Sequence, residues 1–325
     1  MTRPAVYSFT RYLAAKKSLD DRSLNRQVFD ALSQSLDAIS GPEPLRVLEV
    51  GCGLGTMVER LLDWGLLDRP TVYTGIDLQP ENIAGARERL RAYAAQRGYR
   101  FSEEAGVLHL QPRPGQNLSL TLEAIDLYYF LRREQRRQTW DLLLAHAFLD
   151  LVDLPVTLPP LLSLLRPGGY CYFTLNFDGA TIFLPPIDPE FEGQIEEWYH
   201  QTMDQRLIHG RPSVHSRTGR RLFQELPAAG AQILAAGSSD WVVYPGQAGY
   251  PGDEAYFLHF IIQTLATALQ KHPQLPENRF RDWVEERHRQ IERGELIYLA
   301  RQLDFLGYIN ISRQNAKAQR RKSLQ

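Results

Sequence analysis

A chain of 325 residues, 43% of them apolar, has enough material for one large globular domain or a domain with a cap. Its 37 Lys and Arg nearly balance 38 Asp and Glu, leaving a net charge of −1, so no overall field argues for a phosphate-backbone partner. Cys52 and Cys171 have neither metal-ligand spacing nor the density of a disulfide scaffold, and no stretch approaches the roughly 18 to 20 apolar residues of a membrane span. The N-terminal MTRPAVYSFTRYLAAKK also lacks the apolar run of a signal peptide, so a cytoplasmic protein that does not cross a membrane is expected.

In chain order, residues 24–39 set Leu24, Val28, Leu32, Leu36 and Ile39 on one helical stripe and predict an amphipathic helix ahead of the core. Gly41, Pro42 and Pro44 break it, and 45–50 reads as a short buried strand ending in glycines. A helix over 57–67, a strand over 71–76 and a helix over 80–96 follow, the rhythm of a doubly wound sheet. Strands near 118–122 and over 141–145, a helix around 128–137, a helix over 158–165 and a strand over 170–175 continue it. Beyond that, 181–208 reads as irregular. A helix over 219–226, a strand near 232–236, helices over 253–270 and 278–293 and a last apolar segment, 296–308, complete the pattern. The apolar faces of those last two helices can pack on the core or on a second subunit, leaving a homodimer open.

The informative run is LRVLEVGCGLGT, Leu45 to Thr56, followed by YTGIDLQPENIAGARERL from Tyr73. Gly51, Gly53 and Gly55 fall where a strand turns into a helix, and such a turn lets backbone approach a ligand without Cβ atoms in the way. Asp77 ends the second strand, where a carboxylate can accept hydrogen bonds from both hydroxyls of a ribose. The spacing G-x-G-x-G departs from the G-x-G-x-x-G of dinucleotide sites, and Glu49 beside the turn suits a cationic amino-acid ligand better than a pyrophosphate.

These segments resemble the class I S-adenosylmethionine-dependent methyltransferases over about 45–177. LEVGCGLGT is similar to the family's first motif and GIDLQP to its second, with Asp77 as the ribose-binding acid and Leu78 beside it. EAIDL, Glu123 to Leu127, resembles the acidic segment that meets the adenine amino group; Glu123 fits best by position, Ala124 offers its backbone amide, and Asp126 is the rival. WDLLLAHAFLDLVD and LRPGGYCYFTLN resemble the fourth motif and the strand after it. The resemblance implies S-adenosylmethionine as donor and a mostly parallel, doubly wound α/β sheet of seven strands, the last antiparallel, with helical additions at both ends. It implies a cofactor site built from Glu49, Gly51, Cys52, Gly53, Gly55, Asp77, Leu78, Glu123, Ala124, Asp126 and His146. The organisation expected is a helical flap over 1–40, a methyltransferase domain over 41–312 with cap insertions near 178–218 and 250–293, and a basic tail over 313–325.

Methyl transfer from a sulfonium is an in-line displacement, in which alignment can supply roughly 7 to 11 kcal/mol and a base is optional. His146, just past the fourth strand, is the first candidate for a catalytic group, and Asp150 could orient its ring or simply cap a helix. Asp178 leaves the fifth strand at the same edge, although the Asn-Phe-Asp-Gly turn explains it equally. His200, with Trp198 and Tyr199, could close over an aromatic or apolar acceptor or belong to a packed helix. Tyr7, Phe9 and Tyr12 pose the same question, while Lys16, Asp20, Asp21 and Arg22 read as solvated surface. No metal is expected. A small-molecule acceptor is favoured; methylation of protein or RNA, and a non-catalytic nucleotide-binding module, are the rivals.

Overall fold

The computed structural model describes residues 2–39, 43–135, 137–208, 211–212 and 215–310; the tail over 313–325 lies outside them. Three helices open the chain: α1 (Phe9–Ala15), α2 (Lys17–Ser23) and α3 (Arg26–Asp37), where Ser8 and Asn25 cap α1 and α3 by accepting the Arg11 and Val28 amide protons. Then come β1 (Leu45–Val50), α4 (Thr56–Asp63), β2 (Thr71–Asp77), α5 (Pro80–Arg97), β3 (Arg100–Glu104), β4 (Val107–Arg113), β5 (Gln116–Ala124), α6 (Leu127–Arg133), β6 (Trp140–His146), α7 (Leu154–Leu162) and β7 (Leu165–Leu184). The second half holds α8 (Pro189–Asp204), β8 (Leu207–Ile208), β9 (Arg211–Pro212), α9 (Thr218–Ala229), β10 (Ala231–Ser238), β11 (Trp241–Val243), α10 (Glu254–Leu269), α11 (Glu277–Glu292) and β12 (Ile297–Ile309).

The sheet runs β10-β12-β7-β6-β1-β2-β5-β4-β3, with β11 also paired to β12. From β5 to β7 the pairs are parallel, and β12 lies antiparallel between β7 and β10. These seven strands form the expected doubly wound core. Strands alternate their side chains between two layers. Val47, Leu142 and Leu144 face α3, α4 and α5, whereas Leu48, Leu143 and Ala145 face α6, α7 and α9. Strand order reverses between β1 and β6, and in open sheets the crevice for ligands opens at that switch point, beyond the carboxyl ends of the strands.

The structure extends the sequence reading in three places. An antiparallel hairpin, β3 and β4, widens the sheet beyond β5. β7 does not stop at Leu175 but bends there, at φ +54, and runs on to Leu184 along β12. The stretch read as irregular contains α8, a 16-residue helix capped by Asp188 and started by Pro189, which buries Phe191, Ile195 and Trp198. A third apolar cluster joins Ala15 and Leu19 to these residues and to Phe257, Ile262, Leu265 and Trp283 of α10 and α11, so the apolar faces of α10 and α11 are covered within the chain.

α1 lies against this cluster. Tyr12 stacks between Phe257 and Phe260, with ring centroids 5.6 and 4.3 Å away, Arg11 makes two hydrogen bonds to Asp253, and the Tyr256 hydroxyl meets the backbone of Ser8. Stacked aromatic pairs add roughly 0.5 to 1.5 kcal/mol each beyond the area they bury, so the N-terminal helices are bound to the far end of the sequence.

Candidate active site

The carboxyl ends of β1, β2 and β6 and the loop after β5 open into a cavity of about 750 Å³. Gly51, Cys52, Gly53, Leu54 and Thr56 supply one wall, Asp77, Leu78, Gln79 and Asn82 a second, and Ile125, Asp126, Leu127 and Tyr128 a third. His146, Ala147, Phe148, Leu151 and Val152 come from the end of β6 and the turn after it. Phe9, Leu13 and Lys16 of the N-terminal helices and Arg206 also line it, as do Glu49, Val50 and Ile76 at the strand ends and Arg132, Asp153 and Val156.

The turn is built for close approach. Gly51 has φ +68, and a Cβ there would stand 2.3 Å from Phe148 Cδ2, so only glycine leaves room for that ring at the cavity wall. Gly55 is the left-handed N-cap of α4 and sits outside the cavity lining, against Ala86 and Leu90. Asp77 braces the turn from β2: Oδ2 accepts the Gly53 amide proton at 2.9 Å, and Oδ1 accepts from Gln79 N at 2.9 Å and Asn82 Nδ2 at 3.1 Å. A carboxylate has about four lone-pair positions, which leaves room for a ligand hydroxyl. Glu49 is buried, and its Oε2 accepts the Tyr73 hydroxyl at 2.5 Å. Burial pushes its carboxyl up to about 8, because the Tyr73 hydroxyl and the Arg60 cation offset only part of the lost hydration and Asp77 adds to the rise.

Of the two candidate acids after β5, the structure brings Asp126 to the cavity, where its side chain caps α6 by accepting the Tyr129 amide proton at 2.9 Å. Glu123 is outside the lining, held by Arg133 in two hydrogen bonds of 2.7 and 2.8 Å, and Ala124 is outside it as well. Asp178 and His200 also stand away from the cavity. Asp178 is almost wholly buried and clasps α9, accepting from Arg220 N and Nε at 2.8 Å, with Arg301 at 3.3 Å. His200 Nε2 lies 3.1 Å from Thr181 Oγ1 and packs edge-on against Phe177. Both are committed to holding the β7 extension and its neighbours.

His146 does line the cavity, in a buried polar cluster. Nδ1 is 2.7 Å from Thr174 Oγ1, and Nε2 is 3.1 Å from Asp20 Oδ2 and 3.0 Å from Arg60 Nη1. Arg60 can only donate and Asp20 only accept, so the tautomer that satisfies the carboxylate carries its proton on Nε2 and takes the Thr174 hydroxyl proton at Nδ1. Burial and then Arg60 lower the imidazole to about 4, so it is neutral at physiological pH with both nitrogens engaged. Asp20 also accepts from Lys16 Nζ at 2.5 Å and Trp241 Nε1 at 3.0 Å; burial alone would raise its carboxyl, but Lys16, His146 and Arg60 hold it far below the usual range. Of the residues read as solvated surface, Lys16, Asp20 and, through Arg60, Asp21 thus form a charged cluster beside the site, whereas Arg22 pairs with Glu254. The backbone is strained on both sides of the His146–Thr174 pair, at Ala147 (φ +49) and Leu175 (φ +54), a pattern that concentrates at functional sites.

Residues 24–235 match the Methyltransferase domain family. The chain belongs to that family. A 73-residue segment of this methyltransferase, 22% of the chain, is 41% identical to 3-methylorcinaldehyde synthase of Talaromyces stipitatus and spans 3% of that protein's length. Among solved structures, a SAM-dependent methyltransferase of Methanosarcina mazei is 14% identical, with 82% of this chain and 93% of that one covered at a TM-score of 0.42. Geranyl diphosphate C-methyltransferase of Streptomyces coelicolor A3(2) is 13% identical, with 87% and 81% covered at 0.40.

The methyltransferase's donor is S-adenosylmethionine, and the residues on the cavity fit it. The cradle at Gly51 admits a ligand where a side chain would block it, Asp77 presents acceptors suited to a ribose, and Glu49 is a buried carboxyl in need of a cation. Bound there, the donor supplies an electrophilic methyl group on a cationic sulfur. No helix among the described residues is long and apolar enough to cross a membrane.

Proposed function

We propose that this methyltransferase passes the methyl group in line to a small, apolar acceptor held within the cavity, in the cytoplasm. The observation that supports this reading is the lining itself. Phe9 and Leu13 from α1, with Phe148, Leu151 and Val152 from the turn after β6, give the cavity apolar walls suited to a compact hydrophobic body. On the donor side, Glu49, Gly51, Cys52, Gly53, Asp77, Leu78 and Asp126 hold the cofactor. His146 contributes a neutral ring between them. Because its charged form is disfavoured, it places no extra positive charge beside a sulfonium.

The test is to incubate the enzyme with methyl-labelled donor and fractionated cell extract. Label recovered in low-mass, organic-soluble material supports the reading; label precipitating with protein or RNA overturns it.

Glu49 carries a second expectation. Its carboxyl is mostly protonated in the free protein at pH 7, and a ligand ammonium would favour the ionised form. Binding of S-adenosylhomocysteine at pH 7 is therefore expected to release up to about one proton, and affinity to rise with pH toward 8. Calorimetry in buffers of different ionisation enthalpy reads the proton directly. Glu49→Gln should abolish the release, and an unchanged release would detach Glu49 from the ligand.

A further inference from the structure

We propose that Lys16 anchors the carboxylate of a ligand bound in the cavity. The inference rests on the cavity of the small-molecule reading, and two molecules can bring that group: the donor at its amino-acid end, or an acceptor that is an apolar acid. Lys16 lines the cavity although it is only 6% exposed. It follows Phe9 and Leu13 at helical spacing, and all three belong to the lining. Leu13 Cδ1 stands 3.5 Å from where a Gly53 Cβ would be, so this stripe runs along the glycine turn. The Lys16 ammonium has three protons to donate and makes one hydrogen bond, to Asp20 Oδ2 at 2.5 Å, with the Trp241 ring centroid 5.6 Å away. A buried cation that keeps donors in hand beside a cavity is suited to an anionic oxygen there.

The charges around Lys16 leave it short of a partner. It ends a ladder of ion pairs that runs Lys16, Asp20, Arg60, Asp21, Lys17, Glu59 and Arg89, with successive contacts of 2.5, 3.3, 2.5, 2.6, 3.9 and 2.7 Å. Those seven residues are four cations and three carboxylates, and the ladder begins and ends on a cation. At one end the Arg89 side chain is 29% exposed and reaches water; at the other, Lys16 meets the cavity. Asp20 is already shared among Lys16, Arg60, His146 and Trp241, while Asp150 feels the ammonium but accepts no hydrogen bond at Oδ1. Arg132 and Arg206 line the cavity as well, but both are exposed, so water screens them and an anion gains less from either. A carboxylate supplies Lys16 with both an acceptor and a charge, which a neutral hydroxyl does not. Arg60 acts on Glu49 as well as on Asp20, so the carboxyl suited to a ligand ammonium and the ammonium suited to a ligand carboxylate flank one cation, as the two charges of an amino acid require. Phe9 and Leu13, one and two turns before Lys16, equally suit the body of an apolar acid.

Calorimetry on the full-length protein tests this with two pairs of ligands that differ in a carboxylate. The donor pair is S-adenosylhomocysteine and its decarboxylated analogue, which keeps the ammonium; the acceptor pair, added to protein saturated with S-adenosylhomocysteine, is 2-naphthoate and the neutral 2-naphthalenemethanol. Lys16→Met should weaken the carboxylate member of one pair roughly tenfold or more, as loss of a charge-assisted hydrogen bond requires, and leave its carboxylate-free partner unchanged. A selective loss in the donor pair assigns Lys16 to the donor's amino-acid end, and one in the naphthalene pair assigns it to an acidic acceptor. Lys16→Gln, which still donates to Asp20 but carries no charge, is measured alongside, so a methionine variant that does not fold leaves the comparison intact. Equal affinities for wild type and variants in both pairs, or an equal loss for both members of a pair, overturns the role of Lys16. The two readings fail separately: label in protein or RNA defeats the small acceptor, and only the carboxylate comparison defeats Lys16.

Discussion

Arg60→Leu is expected to cost about 3 to 5 kcal/mol of unfolding free energy, the usual penalty for breaking a buried ion pair from one side. Arg60 is fully buried on α4 and donates to Asp21 at 2.5 Å, Asp20 at 3.3 Å and Thr56 at 3.3 Å, with Nη1 3.0 Å from the His146 ring nitrogen. Leucine leaves Asp20 with Lys16, Trp241 and His146 but removes the cation that sits between the two aspartates. Urea denaturation measures the loss, and the double variant Asp20→Asn/Arg60→Leu should lose less than the two singles together, because removing both charges avoids an uncompensated one. A loss below about 1 kcal/mol for Arg60→Leu would mean that the cluster is hydrated and structurally idle.

Asp77→Ala is expected to weaken S-adenosylmethionine and S-adenosylhomocysteine by more than about tenfold, as the loss of a charge-assisted contact worth roughly 1.5 to 3 kcal/mol requires. The effect has two sources. Asp77 offers acceptors to a ribose, and it also fixes the Gly53 and Gln79 amides and the Asn82 side chain, so alanine loosens the cradle as well as removing the contact. Asp77→Asn separates them: it keeps one carbonyl acceptor and the shape, and should fall between wild type and alanine. Calorimetry with both sulfur ligands and with NADH makes the comparison. Undiminished binding by Asp77→Ala would move the ribose elsewhere.

What could be read in the sequence was whatever local chemistry enforces. The glycine turn, Asp77 at a strand end and the alternation of strands and helices are short-range patterns, and the seven-strand core follows from them. α8 carried its own signal, Asp188 and Pro189 at the start and Phe191, Ile195 and Trp198 at helical spacing, hidden only by the polar residues between. The β3–β4 hairpin was masked by the charged, exposed strand Arg100–Glu104, whose partner Val107–Arg113 alternates more clearly. Asp20 was illegible in principle. A charged residue on a short helix looks like surface until its partners are known, and Arg60, His146 and Trp241 lie 40, 126 and 221 residues away in sequence. The same distance effect turned Asp178 and His200 into structural groups: their partners in the folded protein, Arg220 and Thr181, sit on neighbouring elements whose contacts no motif encodes.

The stacking of Tyr12 between Phe257 and Phe260 also sets an order of events during synthesis. The glycine turn and its strands emerge early and can pair, and Leu13 can reach Gly53, but the aromatic seat of Tyr12 is missing until α10 has left the ribosome. At roughly 5 to 20 residues per second, that wait is on the order of 10 to 50 s. For that interval the nascent chain carries a cofactor cleft with one side missing, and its exposed Phe9 and Leu13 are available to chaperones. The enzyme becomes able to enclose its substrates only when its first helix meets nearly its last.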